Sequence, residues 1–129
     1  MAKKTNIWKD QPEKHDYPAA HDYLSLLYEE AAARKLVAAL RRAPGIKRKA
    51  KDLLRASGLR LLEKTNPHVA NENRKIKSGK KLSPVLLVRG NADADLPLVV
   101  ADGYHRICAS WYRDEDQDIV CRLVSRRPR

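Results

Sequence analysis

The sequence predicts an α+β fold, a small mixed sheet of about four strands with helices packed on it, preceded by a helical N-terminal extension. Three observations lead to this prediction. The 129 residues suffice for one domain. Apolar residues recur with helical spacing in the first third of the chain, and short apolar runs of strand length follow after residue 81. We place an N-terminal arm and helical extension at 1–45, the main domain at 46–124 and a basic tail at 125–129.

The N-terminal third predicts an arm and two helices. Residues 1–16 are polar and without a period, typical of an extended arm, with Ile7 and Trp8 as its anchor. Two apolar faces follow, the first at Ala20, Tyr23, Leu24 and Leu27 and the second at Ala33, Leu36, Val37 and Leu40. Their offset amounts to roughly 220° around a helix, so one straight helix would direct them to nearly opposite sides. We therefore predict two helices, at about 18–28 and 30–42.

Three short elements are predicted in the middle of the chain. They are a strand at 46–50, a helix at 51–57 closed by Gly58, and a helix at 68–77 opened by Asn66-Pro67 with Val69 and Ile76 directed inward. A small apolar cluster of leucines lies between the last two of these elements.

The net charge of +11 is concentrated in this middle segment. Residues 43–81 carry 12 Lys or Arg against 3 Asp or Glu, whereas residues 1–42 contribute +2 and residues 82–129 contribute zero. Such a basic field favours a polyanionic partner, nucleic acid above all, although a solvated lysine-rich surface has the same composition. No Trp, Tyr or Phe interrupts the segment, so we expect contacts to phosphates rather than to bases. The candidate nucleic-acid contacts are Lys47, Lys49, Lys51, Arg74, Lys77, Lys80 and Lys81.

The last third predicts strands around one helix. The elements are a strand at 85–88 buried on both faces, a turn-rich connection at 90–95, a strand at 96–101, a helix at 104–112 and a closing strand at 119–124. Cys108 and Cys121 lie on apolar faces and lack metal-ligand spacing, so we expect buried reduced thiols and no metal site.

The turn at Asp102-Gly103 is the candidate functional site. Gly103 tolerates backbone angles that other residues resist, and a helix that starts after it directs unpaired N–H groups and the positive end of its dipole over the turn. With an imidazole and a guanidinium in the same first turn, Gly103, Tyr104, His105 and Arg106 predict an anion site, most naturally for phosphate. In the alternative, structural interpretation Asp102 caps the helix or pairs with Arg106.

Several stretches of the second half resemble the ParB/sulfiredoxin-like domain. They are Leu82-Ser83-Pro84-Val85-Leu86-Leu87-Val88, Leu98-Val99-Val100-Ala101 and Asp102-Gly103-Tyr104-His105-Arg106-Ile107-Cys108-Ala109. In that family a P-I-L-V strand is followed by a second strand, a D-G-x-H-R-x-x-A turn and helix, and a closing strand. The resemblance covers roughly residues 47–124, and the chain as a whole is similar to bacterial proteins that carry the label ParB-like nuclease domain.

The resemblance implies a nucleotide or phosphate site at this turn, with different chemistry in two relatives. Sulfiredoxins carry Gly-Gly-Cys-His-Arg, in which the cysteine is the nucleophile. His105 and Arg106 match, but Tyr104 stands at the cysteine position. A phenol cannot replace a low-pKa thiolate, so we do not expect sulfinic-acid reductase chemistry.

Partition proteins carry Gly-Glu-Arg-Arg-x-Arg-Ala, which contacts a nucleoside triphosphate. Gly103, Arg106 and Ala109 match this box, whereas Tyr104, His105 and Cys108 replace its glutamate and two of its arginines. The Asn66-Pro67 element is also similar to this family, which would place Asn73, Arg74 and Lys77 near the nucleotide. We do not expect a complete partition protein with its helix-turn-helix and dimerisation domains.

We predict that the chain binds a nucleotide or a nucleic-acid phosphate at the turn, with a nucleoside triphosphate and Mg²⁺ as the candidate cofactor. One alternative is a metal-dependent nuclease-like hydrolase with His105 and Asp102 as candidate catalytic residues. Another is a non-catalytic nucleic-acid-binding or protein-interaction module. Whether the chain is an enzyme stays open.

The sequence also bears on location and assembly. No apolar run approaches the roughly 20 residues of a membrane span, and the N-terminus lacks the apolar segment of a signal peptide. We therefore expect a cytoplasmic protein with no membrane partner. The oligomeric state stays open, with a homodimer as one alternative.

Overall fold

The computed structural model describes residues 6–127, so predictions for residues 1–5 and 128–129 lie outside the described residues. Helices and strands alternate irregularly along this part of the chain, in agreement with the predicted α+β class. The elements are α1 Asp16–Leu24, α2 Glu30–Arg42, β1 Ile46–Lys49, α3 Ala50–Ser57, α4 Pro67–Lys77, β2 Val85–Val88, β3 Val99–Asp102, α5 Tyr104–Arg113 and β4 Asp118–Val124.

The four strands form one mixed sheet in the order β1-β4-β2-β3. The central pair, β4 and β2, is parallel, and each edge strand pairs antiparallel with its neighbour. This arrangement confirms the prediction of a small mixed sheet. It leaves β1 and β3 as the two edges.

Helices cover both faces of the sheet. On one face α1 and α2 share an apolar core with Leu86 and Val88 of β2. On the other face α3, α4 and α5 pack with Val85 and Leu87 of the same strand. All four residues of β2 are buried, as the unbroken apolar run predicted. The turn that opens α5 lies directly beside this central strand, since a Cβ atom at Gly103 would be 2.8 Å from Val85 Cγ2.

The first helix is shorter than predicted, and the interpretation of its apolar face is partly wrong. α1 ends at Leu24, and its buried apolar face is Tyr17, Ala20 and Leu24. Tyr23 is 44% exposed and Leu27 is 52% exposed. The physical reason is that the N–H groups of both Leu27 and Tyr28 donate to the Leu24 carbonyl oxygen, so the chain turns towards α2 before Leu27 can continue the helical face.

The N-terminal arm is anchored as predicted. Ile7 and Trp8 are 4% and 3% exposed. Trp8 forms an isolated parallel bridge with Leu82, the residue that leads into β2. The Leu82 N–H donates to the Ile7 carbonyl oxygen at 2.7 Å. Within the described residues Cys108 and Cys121 are buried free thiols, which agrees with the prediction of reduced cysteines.

A buried arginine in β4 is a feature that the sequence pattern did not reveal. The guanidinium of Arg122, a residue only 5% exposed, donates to the carbonyl oxygens of Leu40 and Arg41 at 3.2 and 3.0 Å. It also donates to the Tyr17 hydroxyl at 3.1 Å and to Gln11 Oε1 at 2.5 Å. Because the two carbonyls are at the C-terminal end of α2, the negative end of that helix dipole stabilises the buried charge.

Candidate anion site at the first turns of two helices

Gly103 connects β3 to α5 in a conformation that no other residue adopts without strain. Its φ is +112°. A Cβ atom at this position would lie 2.8 Å from Val85 Cγ2 and 2.9 Å from Arg106 Nη2. The glycine is therefore required both by the turn and by the close approach of β2 and of the Arg106 side chain.

Arg106 points into the protein, towards carboxylates. Its Nη2 donates to Asp102 Oδ2 at 2.8 Å and to the Pro84 carbonyl oxygen at 3.4 Å. Its Nη1 lies 3.8 Å from Asp16 Oδ1, and only 13% of the side chain is exposed. The expected helix cap at Asp102 is wrong, because its carboxylate makes no capping bond and pairs with Arg106 one helical turn later. The alternative pairing, which the sequence left open, is the one observed.

Asp16, the first residue of α1, completes this buried cluster. It is 2% exposed and accepts hydrogen bonds from the Ser83 hydroxyl and from the Glu13 N–H, the latter at 2.9 Å. Burial raises the pKa of Asp102 above its ordinary value; Arg106 acts in the opposite direction, and the neighbouring Asp16 raises it further. The cluster thus ties the start of α1 to the turn before α5.

His105 points the other way, towards α4. Its ring centroid lies 4.8 Å from that of His68, with the ring planes at 44°. His68 is the second residue of α4 and His105 the second residue of α5, so the first turns of the two helices meet at this pair. Asn66 Oδ1 caps α4 by accepting from the N–H groups of His68 and Val69 at 3.0 and 3.2 Å.

The environment of His105 favours its neutral form. Burial lowers the pKa of His105 below its ordinary value, and the nearby His68 and Arg106 lower it further, while Glu72 on α4 opposes them. One oxygen of Glu72, Oε2, is buried without a hydrogen-bond partner among the described residues. His105 contributes positive charge to the site only when it is protonated, and the nearby Glu72 carboxylate partly offsets that charge.

Tyr104 closes the same side of the turn. Its hydroxyl donates to the Arg60 carbonyl oxygen, and its ring centroid lies 5.7 Å from that of His105. Burial raises the pKa of Tyr104, so the phenol stays protonated. The loop that it contacts, residues 60–67, lines a pocket of about 520 Å³ at the start of α4.

The structure divides the predicted site residues between two sides of one turn. Tyr104 and His105 face α4 and its preceding loop, whereas Arg106 and Asp102 face the start of α1. Sequence reasoning missed His68, although its place just after Asn66-Pro67 marks it as a first-turn residue like His105. No local signal could reveal Asp16, because its contact with Arg106 depends on the packing of α1 against β3.

The candidate basic contacts also fall into two regions. The first, which we call the β1–α3 corner, comprises residues 47–55 and contacts the acidic loop 114–118. Lys51 Nζ lies 2.7 Å from Asp116 Oδ1, and Lys49 Nζ donates to the Asp116 carbonyl oxygen at 3.4 Å. The corner and the loop together hold five basic and five acidic side chains, so their charges balance.

The second region, which we call the α4 end, comprises residues 74–81. Lys75 lies 3.5 Å from Glu72 Oε1. The other four cations are exposed, and none has an ion pair among the described residues; they are Arg74, Lys77, Lys80 and Lys81. Asn73, which the resemblance would place near a nucleotide, has a buried amide nitrogen without a partner in the described part of the chain.

Comparisons with known proteins give no match: no protein-family model, curated protein or solved structure is similar to this chain. In residues 6–127 no three His, Cys, Asp or Glu side chains are grouped in a way that could hold a metal ion. None of the helices described has the length and apolar character needed to cross a membrane.

Proposed function

We propose that the protein is a ParB/sulfiredoxin-like domain that binds a phosphate group, of a nucleotide or of a nucleic acid, at the first turns of α4 and α5. The observation that carries this proposal is the meeting of two helix N-termini at His68 and His105, whose ring centroids are 4.8 Å apart. Each N-terminus contributes the positive end of its helix dipole. The first N–H groups of α5 have no side-chain cap, whereas those of His68 and Val69 in α4 already donate to Asn66 Oδ1. Two imidazoles at the same place add donors that become cationic on protonation.

In this proposal the two sides of the turn have different roles. The N–H groups that follow Gly103 and the His105 imidazole contact the phosphate. Arg106 keeps the turn in place, because its guanidinium is already engaged by Asp102 and Asp16. A bound phosphate would favour the imidazolium form of His105 and so oppose the effect of burial on its pKa. Affinity should therefore increase as the pH falls from about 8 to about 6.

The length of α4 distinguishes a single phosphate group from a nucleic-acid strand as the ligand. His68 and Lys77 lie at opposite ends of α4, and a rise of 1.5 Å per residue separates their Cα atoms by about 14 Å. A single phosphate group contacts only the imidazole end. A nucleic-acid strand with a rise of about 3.4 Å per nucleotide would reach both ends within roughly four nucleotides.

The experiment is thermal unfolding against inorganic phosphate, nucleoside mono-, di- and triphosphates with and without Mg²⁺, and single-stranded oligonucleotides. A ligand at 100 times its Kd should stabilise the protein by about 2.7 kcal/mol. We expect the same ligand concentration to stabilise His105→Asn by only about 1.4 kcal/mol, as a tenfold weaker affinity requires. The full shift should persist in the control His21→Asn, whose imidazole pairs with Glu30 on the other side of the sheet. No shift with any of these ligands would show that the proposal is wrong.

A second candidate function is nucleic-acid binding through the α4 end alone. The observation that favours it is the group of four exposed cations that make no ion pair within residues 6–127, in contrast to the balanced charges of the β1–α3 corner. The double variant K80E/K81E should then weaken oligonucleotide binding and lower the slope of log K against log salt by about 0.7 for each lost phosphate contact. The matched control K47E/K49E should change the slope much less.

The hydrolase alternative has less support. It needs Asp102 and His105 to act on one substrate, yet Asp102 is paired with Arg106 and His105 lies against His68. Metal-dependent cleavage that is lost in both His105→Ala and Asp102→Asn, at unchanged stability, would favour it over binding alone.

A further inference from the structure

A cluster of exposed apolar side chains lies at the turn after α1 and beside the segment that leads into β3. Among residues 6–127, four large hydrophobic residues are exposed: Tyr23 44%, Leu26 80%, Leu27 52% and Leu96 39%. Three of them line the same groove, and the fourth, Leu26, belongs to the same turn after α1. A contiguous exposed apolar patch, unlike single scattered apolar residues, marks an interaction site.

The groove has a volume of about 470 Å³ and is formed by separate parts of the chain. Its walls are the end of α1 with Leu27, the segment 96–98 that leads into β3, and the edge strand itself at Val99 and Val100. The Leu98 N–H donates to the Ala56 carbonyl oxygen at 3.0 Å, which fixes the segment before β3. This backbone hydrogen bond fixes one wall of the groove to the end of α3.

The charge of the groove indicates what kind of partner fits it. Arg126 lines the wall, and no Asp or Glu does. Arg126 also has no ion pair with any carboxylate of the described residues. A cation beside apolar surface favours a partner that brings a carboxylate with its apolar side chains. A second copy of this chain fits poorly, because each copy carries a net charge of +11.

We propose that this groove binds a short segment of a partner protein that carries bulky apolar side chains next to acidic residues. The apolar side chains occupy the space between Leu27, Leu96 and Val100, and an acidic side chain pairs with Arg126. The proposal is independent of the anion site, since the groove shares no residue with the first turns of α4 and α5.

The test is selection of a displayed library of random short peptides on the immobilised protein. We expect the selected peptides to combine Leu, Ile, Phe or Trp with Asp or Glu. Synthetic copies should bind Leu27→Ser and Arg126→Glu at least roughly tenfold more weakly than the wild type, a loss of about 1.4 kcal/mol or more. The control Arg113→Glu carries the same charge change on an exposed residue of α5 outside the groove and should bind as the wild type does.

Three results would overturn the proposal: no enrichment over the uncoated surface, enrichment of basic peptides, or equal binding to wild type and both groove variants. Sedimentation of the protein alone supplies a fourth. If the wild type dimerises at micromolar concentration and Leu27→Ser does not, a second copy occupies the groove instead. Because Leu27 is 52% exposed, Leu27→Ser should keep the melting temperature of the wild type, which confirms that the variant is folded.

Discussion

The two sides of the first turn of α5 differ in the contacts that their side chains make within the protein. On one side Arg106 is 13% exposed in its side chain and is held by Asp102 and Asp16. On the other side the His105 ring lies near the rings of His68 and Tyr104 and makes no ion pair with any residue from 6 to 127. These adjacent basic residues therefore have different surroundings: carboxylates engage Arg106, whereas His105 is the side chain that we propose as the phosphate contact.

This difference decides which substitutions are informative. A guanidinium that bridges two carboxylates is expected to matter for stability, so its loss would reduce ligand binding for an indirect reason. The histidine pair can be changed with little effect on the core.

Gly103→Ala should have the largest effect, because it disturbs both sides. The new Cβ would lie 2.8 Å from Val85 Cγ2 in a backbone with φ +112°. We expect a loss of about 3–5 kcal/mol in the free energy of unfolding, measured by chemical denaturation. Gly58→Ala is the matched control, since φ there is +68° with nothing within 4 Å of the new Cβ, and should cost about 1–2 kcal/mol. Equal losses would show that close packing at Gly103 is unimportant.

Arg106→Ala should come next. It leaves two acidic side chains close together, one of them buried, and removes the donor to the Pro84 carbonyl oxygen. We expect the free energy of unfolding to fall by about 2–4 kcal/mol. The control Arg113→Ala removes an exposed arginine of the same helix and should stay within about 0.5 kcal/mol of the wild type. An unchanged free energy of unfolding in Arg106→Ala would contradict this structural role. Arg106 would then be a candidate phosphate ligand.

His105→Asn and His68→Asn should show the opposite pattern. Both variants should unfold within about 1 kcal/mol of the wild type, because neither ring belongs to an apolar core cluster. Each should weaken phosphate binding by roughly tenfold, or about 1.4 kcal/mol, in calorimetric titration. Unchanged affinity in both variants would remove the imidazole pair from the proposed site.

The smallest effect is a pH dependence without ligand. Because the folded protein lowers the pKa of His105, the unfolded chain binds more protons at mildly acidic pH. Stability due to this residue is therefore present above about pH 6.5 and is lost as the pH falls. Denaturation curves from pH 7.5 to 5 should fall more steeply for the wild type than for His105→Asn. Parallel curves would contradict the lowered pKa.

Local patterns predicted most of the helices and strands. At the Gly103 turn they predicted the change from strand to helix but not the direction of the Arg106 side chain. The apolar run of β2 and the switch from strand to helix at Gly103 are short-range signals, and both were correct. The direction of Arg106 depends on Asp16, 90 residues earlier in the chain, and no local pattern contains it. The early end of α1 at Leu24 was also missed, because the turn in which Leu27 and Tyr28 both donate to the Leu24 carbonyl oxygen interrupts an apolar spacing that continues in the sequence.

The distribution of charge on the surface also depends on contacts between distant parts of the chain. Composition predicted one basic segment. Folding brings the acidic loop 114–118 against the first half of this segment, whereas at the α4 end only Lys75 pairs with an acidic side chain of the described residues. The distribution of charge along the chain therefore gives the β1–α3 corner more uncompensated positive charge than the folded protein has there. The uncompensated charge of the folded protein lies mainly at the α4 end.

The most direct test of the account is a histidine pH titration by NMR, with and without saturating inorganic phosphate or the best nucleotide of the thermal panel. The chain has four histidines, so His15 and His21 serve as internal references for His68 and His105. We expect the ligand to raise the pKa of His105 and to move the ring signals of His68, while the ring signals of His15 and His21 at each pH stay where they are without ligand. A His105 titration that is the same with and without ligand, at ligand concentrations well above that needed for any thermal shift, would contradict this expectation.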